Sequence, residues 1–254
     1  MTESAPVDDV VIGNVSPGSV STLFTDCLLR TVGYDRHHGN RIAGWNFVQC
    51  SANVSSGRNA LMEWFLTSPA QWLVQIDSDM TWAPDAIHRL LAAADPEKAP
   101  IVGGLCFAQE ADSGMIWPTM YDLAGTEEKL EFIRYDEWEP DALFPVVATG
   151  AAFLLVHRGV AERIRDHRGE DGKPFSGAYP WFQEREIGGI RSGEDVTFCL
   201  RAASVGASVH VHTGVAVGHI KEHVVTVEGY RAQRAMLAQR EYLAAAYPEE
   251  YSNG

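Results

Sequence analysis

The stretch WLVQIDSDMTW, residues 72–82, runs apolar and then ends on two carboxylates one serine apart, Asp77 and Asp79. A carboxylate adjoining a buried run is costly unless its charge is compensated, and two of them repel unless a cation lies between or beside them. The pair reads as a metal or acid/base site, with a strand-end turn and a cap for the helix at Pro84 as the structural alternative. An EF-hand loop opening at Asp77 would need Gly at its sixth place and Glu at its twelfth, where this chain has Trp82 and His88. A structural zinc site needs fourfold Cys or His ligation, which is missing. A hard divalent ion remains: Mg2+ and Mn2+ commonly use one or two protein carboxylates and share their shell with substrate phosphates.

The elements that must position this pair follow from pattern. DVVIGNV reads as a first strand, STLFTDCLLRTVG as a helix stopping near Gly33, and GWNFVQC as a second strand. SSGRNALMEWFLTS reads as a helix capped by its serines, WLVQI as a strand buried on both faces, APDAIHRLLAAAD as a helix and APIVGGLCFA as a fourth strand. Such alternation predicts an α/β fold with a mostly parallel sheet and helices on both faces, in which ligands sit off the carboxyl ends of the strands, where Asp77 and Asp79 fall. Residues 110–145 form a long excursion rich in Trp, Tyr, Pro and acidic residues. ATGAAFLLVHRGVAERI then predicts a strand and a helix, SGEDVTFCLRAASVG a helix from Glu194 or Asp195 to Gly206, and ASVHVHTGVAVGHIK a closing strand region. His210 and His212 share a polar strand face. A last helical face, with apolar residues at 232, 235, 236, 242, 243 and 246, would pack on the domain or on another subunit. The domain is expected over 1–228 and a helical tail over 229–254.

Composition bounds the rest. A chain of 254 residues, 46% hydrophobic, can bury a substantial core as one large domain. No window reaches the length of a membrane span, the N-terminus has no signal-peptide pattern, and Cys27, Cys50, Cys106 and Cys199 sit singly in apolar contexts as buried, reduced thiols would. A cytoplasmic protein is expected, in the host cytoplasm if phage-encoded. The net charge of −14 argues against a general nucleic-acid binder.

Five segments in order carry a resemblance: SSGRNALMEWFL, QIDSDM, TGAAFLLVHRGV, SGEDVTFCLRAASVG and VAVGHIK. Together they resemble the Arg-Asn helix, DxD strand, post-excursion strand, ED segment and C-terminal histidine region of GT-A fold glycosyltransferases, Rossmann-like enzymes. Family 2-like members of the small phage and bacterial type are the nearest in look, and the likeness spans roughly residues 8–223. The resemblance implies that Asp79 ligates Mn2+ or Mg2+, with His219 as second ligand, and that Asp77 holds the ribose or the metal's water. It implies Asp195 as general base in inverting members, with Glu194 orienting the acceptor. Asn14, Ser16, Arg58, Asn59 and Ser78 would meet the nucleotide, UDP rather than GDP. Trp181 and Phe182, in a glycine-flanked loop, would stack on the acceptor sugar. The acceptor itself, whether glycan, protein, lipid or modified nucleic acid, has no readable code in the excursion. A sugar-phosphate nucleotidyltransferase is the alternative, disfavoured because the loop GNVSPGSVSTLF lacks a basic residue to cradle a triphosphate. A non-catalytic nucleotide-sugar-binding module is another, disfavoured because both acidic segments are kept.

Overall fold

In the computed structural model the described residues are 10–50, 53–109, 114–126, 129–168, 175, 179–187, 189–221 and 227–246. The chain divides into two compact units, Met1–Ile220 and Lys221–Gly254.

The first unit opens as the alternation predicts. β1 (Val10–Ser16), α1 (Thr22–His37), β2 (Ile42–Gln49), α2 (Val54–Thr67) and β3 (Trp72–Asp77) follow one another. β4 (Met80–Thr81), α3 (Ala86–Ala93), β5 (Ile101–Leu105) and β6 (Phe107–Gln109) come next. The excursion is itself folded: β7 (Ile116–Pro118), β8 (Met120–Thr126) and β9 (Lys129–Arg134) precede β10 (Leu143–Val146) and β11 (Ala148–Thr149). Then come β12 (Phe153–His157), α4 (Arg158–Asp166), β13 (Arg185–Ile187), β14 (Ile190–Ser192), α5 (Glu194–Ser204), β15 (Val209–Ala216) and β16 (Gly218–His219). The second unit contains one helix, α6 (Val227–Ala246).

The main sheet has seven strands in the order β10-β15-β5-β12-β3-β1-β2. β1, β2, β3, β5 and β15 run one way; β12 is antiparallel to both its neighbours, β3 and β5, and β10 is antiparallel to β15. The period-2 rule then sorts each strand's side chains onto two faces. On one face Ile12, Val74, Phe153 and Leu155 pack with Phe24 and Leu28 of α1 and Ile87 and Leu90 of α3. On the other, Val11, Leu73, Leu154 and Val156 pack with Phe65 of α2, Ile164 of α4 and Phe198 of α5. Both faces are covered, so β3 must read as an uninterrupted apolar run, and its residues from Trp72 to Ile76 are all buried.

Three local readings are corrected. α1 passes Gly33, whose missing side chain faces open space, and ends at His37. The stop lies further on because buried Asp35 accepts from the Arg41 and Ile42 amides and pairs with His88, while Gly39 and Asn40 take left-handed φ of 115° and 51°. α2 is capped by Asn53, which accepts from the Ser56 amide, and not by a serine. Of the four thiols, Cys106 and Cys199 are buried while Cys27 and Cys50 are only partly so.

β5, β12 and the end of β15 approach so closely that only glycine fits at 104. An added Cβ there would lie 2.7 Å from Val217, 3.1 Å from Phe153 and 3.2 Å from the Val215 carbonyl oxygen. Gly104→Val is expected to cost about 1–3 kcal/mol by overpacking, read as a lower urea midpoint at unchanged slope.

Candidate active site

β3 carries its last residue, Asp77, to the edge of the sheet, where the Asp77 amide donates to the Ala152 carbonyl at 2.9 Å and ties β3 to the start of β12. The chain turns through Ser78 and Asp79 into β4, which pairs with β16: His219 lies opposite Met80 and Gly218 opposite Thr81. The Ile220 amide donates to the Asp79 carbonyl at 2.7 Å, closing this clip. A Cβ on Gly218 would collide with Thr81 Oγ1, which explains glycine ahead of the histidine. Two chain segments 140 residues apart thus bring His219 Nε2 to 2.9 Å from Asp79 Oδ2.

The other ring nitrogen, His219 Nδ1, lies 3.1 Å from the Phe107 carbonyl oxygen. A carbonyl can only accept, so Nδ1 carries the proton. In a neutral imidazole Nε2 then turns a lone pair toward the Asp79 carboxylate. Two acceptors at that separation are held by a proton or by a cation, and such a carbonyl partner orients a metal-ligating histidine.

Asp77 faces the opposite way. Arg58 of α2, 3% exposed, donates from Nη2 to Asp77 Oδ2 at 2.9 Å and from Nε to Glu194 Oε1 at 3.4 Å, and its Nη1 donates to the Ala151 carbonyl at 3.1 Å. Burial opposes its charge, but Asp77, Glu194 and Asp195 outweigh that and hold its pKa above the ordinary value. For Asp77 burial dominates and pushes the carboxyl up, partly countered by Arg58 and reinforced by Asp79 and Glu194. Asp77 Oδ1 is buried without a hydrogen-bond partner. Glu194 and Asp195 form the first turn of α5, whose cap is Gly193 with no side-chain bond. Asp195 Oδ1 accepts from the Val196 amide at 2.7 Å. Burial, then the neighbouring Glu194 charge, push the Asp195 carboxyl up to about 6.

These groups line two connected clefts. One, of about 230 Å³, is walled by Arg58, Asp77, Asp79, Phe107, Thr119, Gly150, Ala151, Glu194, Asp195 and His219. The other, of about 320 Å³, shares Asp77 and Asp79 and continues along Val15, Ser16, Pro17, Cys50, Val54 and Ser78. Among the described residues no group of three or more His, Cys, Asp or Glu side chains is arranged to hold a metal ion. A cation here would take further ligands from water or from a bound molecule, as Mg2+ and Mn2+ commonly do. The orphaned Asp77 oxygen and the His219–Asp79 contact fit such an ion.

The structure brings Arg58, Asp77, Ser78, Asp79, Glu194, Asp195 and His219 together around these clefts, with Ser16 at the far end. The remaining sequence-derived positions are placed elsewhere. Asn14 is buried and donates to the Ile76 carbonyl at 2.9 Å, clipping β1 to β3. Asn59 accepts from the Trp181 and Phe182 amides and donates to the Phe182 carbonyl, so its amide is spent on holding that loop. Trp181 and Phe182 are 2% and 0% exposed. Trp181 Nε1 donates to the Ala161 carbonyl, and Phe182 stacks on Phe198. Sugar stacking on these rings is corrected to core packing: an apolar ring between α2, α4 and α5 gains more from burial than from an exposed face. Thr119, Gly150 and the Phe107 and Ala151 carbonyls went unnoticed. The small-residue run ATGAA, residues 148–152, is a trace of Gly150 and Ala151 alone, since backbone oxygens carry no sequence signal.

No protein-family model matches the chain, and no curated protein matches its sequence. Among solved structures, a crystal structure of GalNAc-T7 with UDP, GalNAc and Mn2+ aligns over 89% of this chain and 45% of its own, at 10% identity and TM-score 0.52. The A197 protein from STIV aligns over 86% of this chain and 97% of its own, at 15% identity and TM-score 0.48. The chain thus spans less than half of the GalNAc-T7 chain. The fold is of the GT-A type.

An Asp195 pKa raised from 3.8 to about 6 has a signed consequence for stability. The native state binds the proton more tightly than the unfolded chain, so this group's contribution to stability falls as pH rises from about 4 to about 6. Asp195→Asn, which cannot ionise, is expected to melt above wild type at pH 7, with the gap closing by pH 4. Thermal melts across that range read it.

Proposed function

We propose that this chain is a metal-dependent glycosyltransferase that moves a sugar from a UDP-sugar to an acceptor hydroxyl. The observation that carries the reading is the grouping of Asp77, Asp79, Glu194 and Asp195 around one buried guanidinium, with His219 Nε2 2.9 Å from Asp79, at the carboxyl end of β3. Carboxylates that face one cleft repel unless a cation lies between or beside them, and a divalent ion would meet that need. A similar fold crystallised with UDP, GalNAc and Mn2+ supports the assignment.

Asp79 and His219 would hold Mn2+ or Mg2+, with Asp77 holding the ribose or the metal's water. When bound, that ion supplies positive charge to the diphosphate as it leaves. Val15, Pro17, Cys50 and Val54 make an apolar slot for a flat base, with Ser16 and Ser78 at its polar edge. Asp195 would accept the proton of the attacking hydroxyl, and a base titrating near 6 is largely ionised yet still basic at neutral pH. Glu194, held by Arg58, would fix the acceptor. With Asp195 as base for direct attack on the sugar, the transfer would invert the anomeric centre. The unit to 220 contains every one of these residues, so the transfer would belong to it, and the helical tail would serve another purpose, such as subunit association. A cytoplasmic setting suits the four unpaired thiols.

Calorimetric titration with UDP and GDP, each with and without Mn2+, tests the donor site. Wild type is expected to bind UDP only with Mn2+, and Asp79→Ala and His219→Ala to weaken it about tenfold or more. Absence of binding by either nucleotide under every condition would sink the reading and return Asp77 and Asp79 to a turn and a helix approach.

A further inference from the structure

Resting on that reading, we propose that Arg58 is a positioning residue. It locks the first turn of α5 to the end of β3, so that the donor-side carboxylate Asp77 and the acceptor-side pair Glu194–Asp195 are held as one unit. It is not a contact to the nucleotide base.

The geometry is specific to a guanidinium. Its three nitrogens address three segments: the end of β3 through Asp77, the start of α5 through Glu194, and the turn before β12 through the Ala151 carbonyl. The guanidinium also lies 5.9 Å over the Phe182 ring, so its remaining face is against the loop that Asn59 holds. A buried guanidinium is tolerated only when its donors are occupied, so the three contacts hold one another in place. α5 needs such a hold, because Gly193 offers no side-chain cap to its first turn. Two like charges open that helix side by side, and Arg58 is the cation that steadies them. Consecutive residues of α2 thus divide the work: Arg58 orders the acids and Asn59 orders the backbone that leads to them.

The charged and titratable groups around Asp195 are Arg58 from α2, Glu194 and Cys199 from its own helix, and Tyr121 from β8, with Asp77 across the Arg58 bridge. Removing Arg58 deletes the favourable charge in this set.

The test uses the metal-free full-length protein, with carbon-13 NMR titration of the Asp195 carboxyl and amide hydrogen exchange at Val196 and Thr197 in the first turn of α5. In Arg58→Gln the Asp195 midpoint is expected to rise by about one unit and exchange to quicken about tenfold. Arg58→Lys restores the charge but not the three-way fork, so the midpoint returns toward wild type while exchange stays fast. Unmoved midpoint and exchange in a folded Arg58→Gln overturn the proposal. Faster exchange with an unmoved midpoint also overturns it, leaving Arg58 as packing. If Arg58→Gln does not fold, Arg58→Lys decides: wild-type exchange at α5 refutes the lock, and quickened exchange supports it. No readout uses a nucleotide, so failure to bind UDP defeats the transferase reading alone, and unmoved readouts defeat the Arg58 lock alone.

Discussion

A carboxylate at the end of a strand that is otherwise out of water sets the central constraint of this molecule. Asp77 follows five buried residues, and Arg58 reaches it from the neighbouring helix to offset part of the cost of burying a carboxylate there. Much of the surrounding architecture serves that contact. α2 lies against the sheet so that Arg58 arrives buried, the turn before β12 offers it a carbonyl, and α5 begins where its third donor can be met. The clip between β4 and β16 adds a second close contact, between Asp79 and His219. A site built in this way is strained electrostatically while its backbone is firmly held, as suits the capture of a polyvalent cation with an anionic ligand.

What the sequence made legible follows from which signals are local. β3, β12 and β15 could be read because strands covered on both faces must be apolar throughout, and α5 because acidic residues precede its apolar face. The acidic pairs and His219 could be singled out because ionisable side chains at strand and helix ends are chemically conspicuous. Arg58 was visible as a residue but not as a bridge, since its partners lie 19 and 136 positions away. Asn14, Asn59, Trp181 and Phe182 misled for the opposite reason. Amides and aromatic rings serve ligand recognition and interior bonding equally well, and only burial separates the uses. The end of α1 was missed because Gly33 faces solvent, while the actual stop depends on Asp35 meeting Arg41, Ile42 and His88.

The excursion shows a further limit. Read as irregular, it contains β7, β8 and β9, and its Thr119 reaches the wall of the cleft. Short antiparallel strands with mixed polarity leave little periodicity to detect. Their contribution to a site is through placement, which a composition biased to Trp, Tyr and acidic residues does not reveal.

The position of β12 has a consequence for how this protein can be made. β3 and β5 are successive long strands, joined through α3, yet they are not hydrogen-bonded to each other, because β12 lies between them and pairs with both. Until residues 153–157 have left the ribosome, β3 has an open edge and β5 has no partner strand, because β15 is made later still. Asp77 is at the end of β3, while His219, in β16, is made only after β12 and β15. A nascent chain therefore cannot assemble a working centre ahead of its scaffold, and any truncation upstream of Phe153 leaves two adhesive strand edges where the finished protein has its middle.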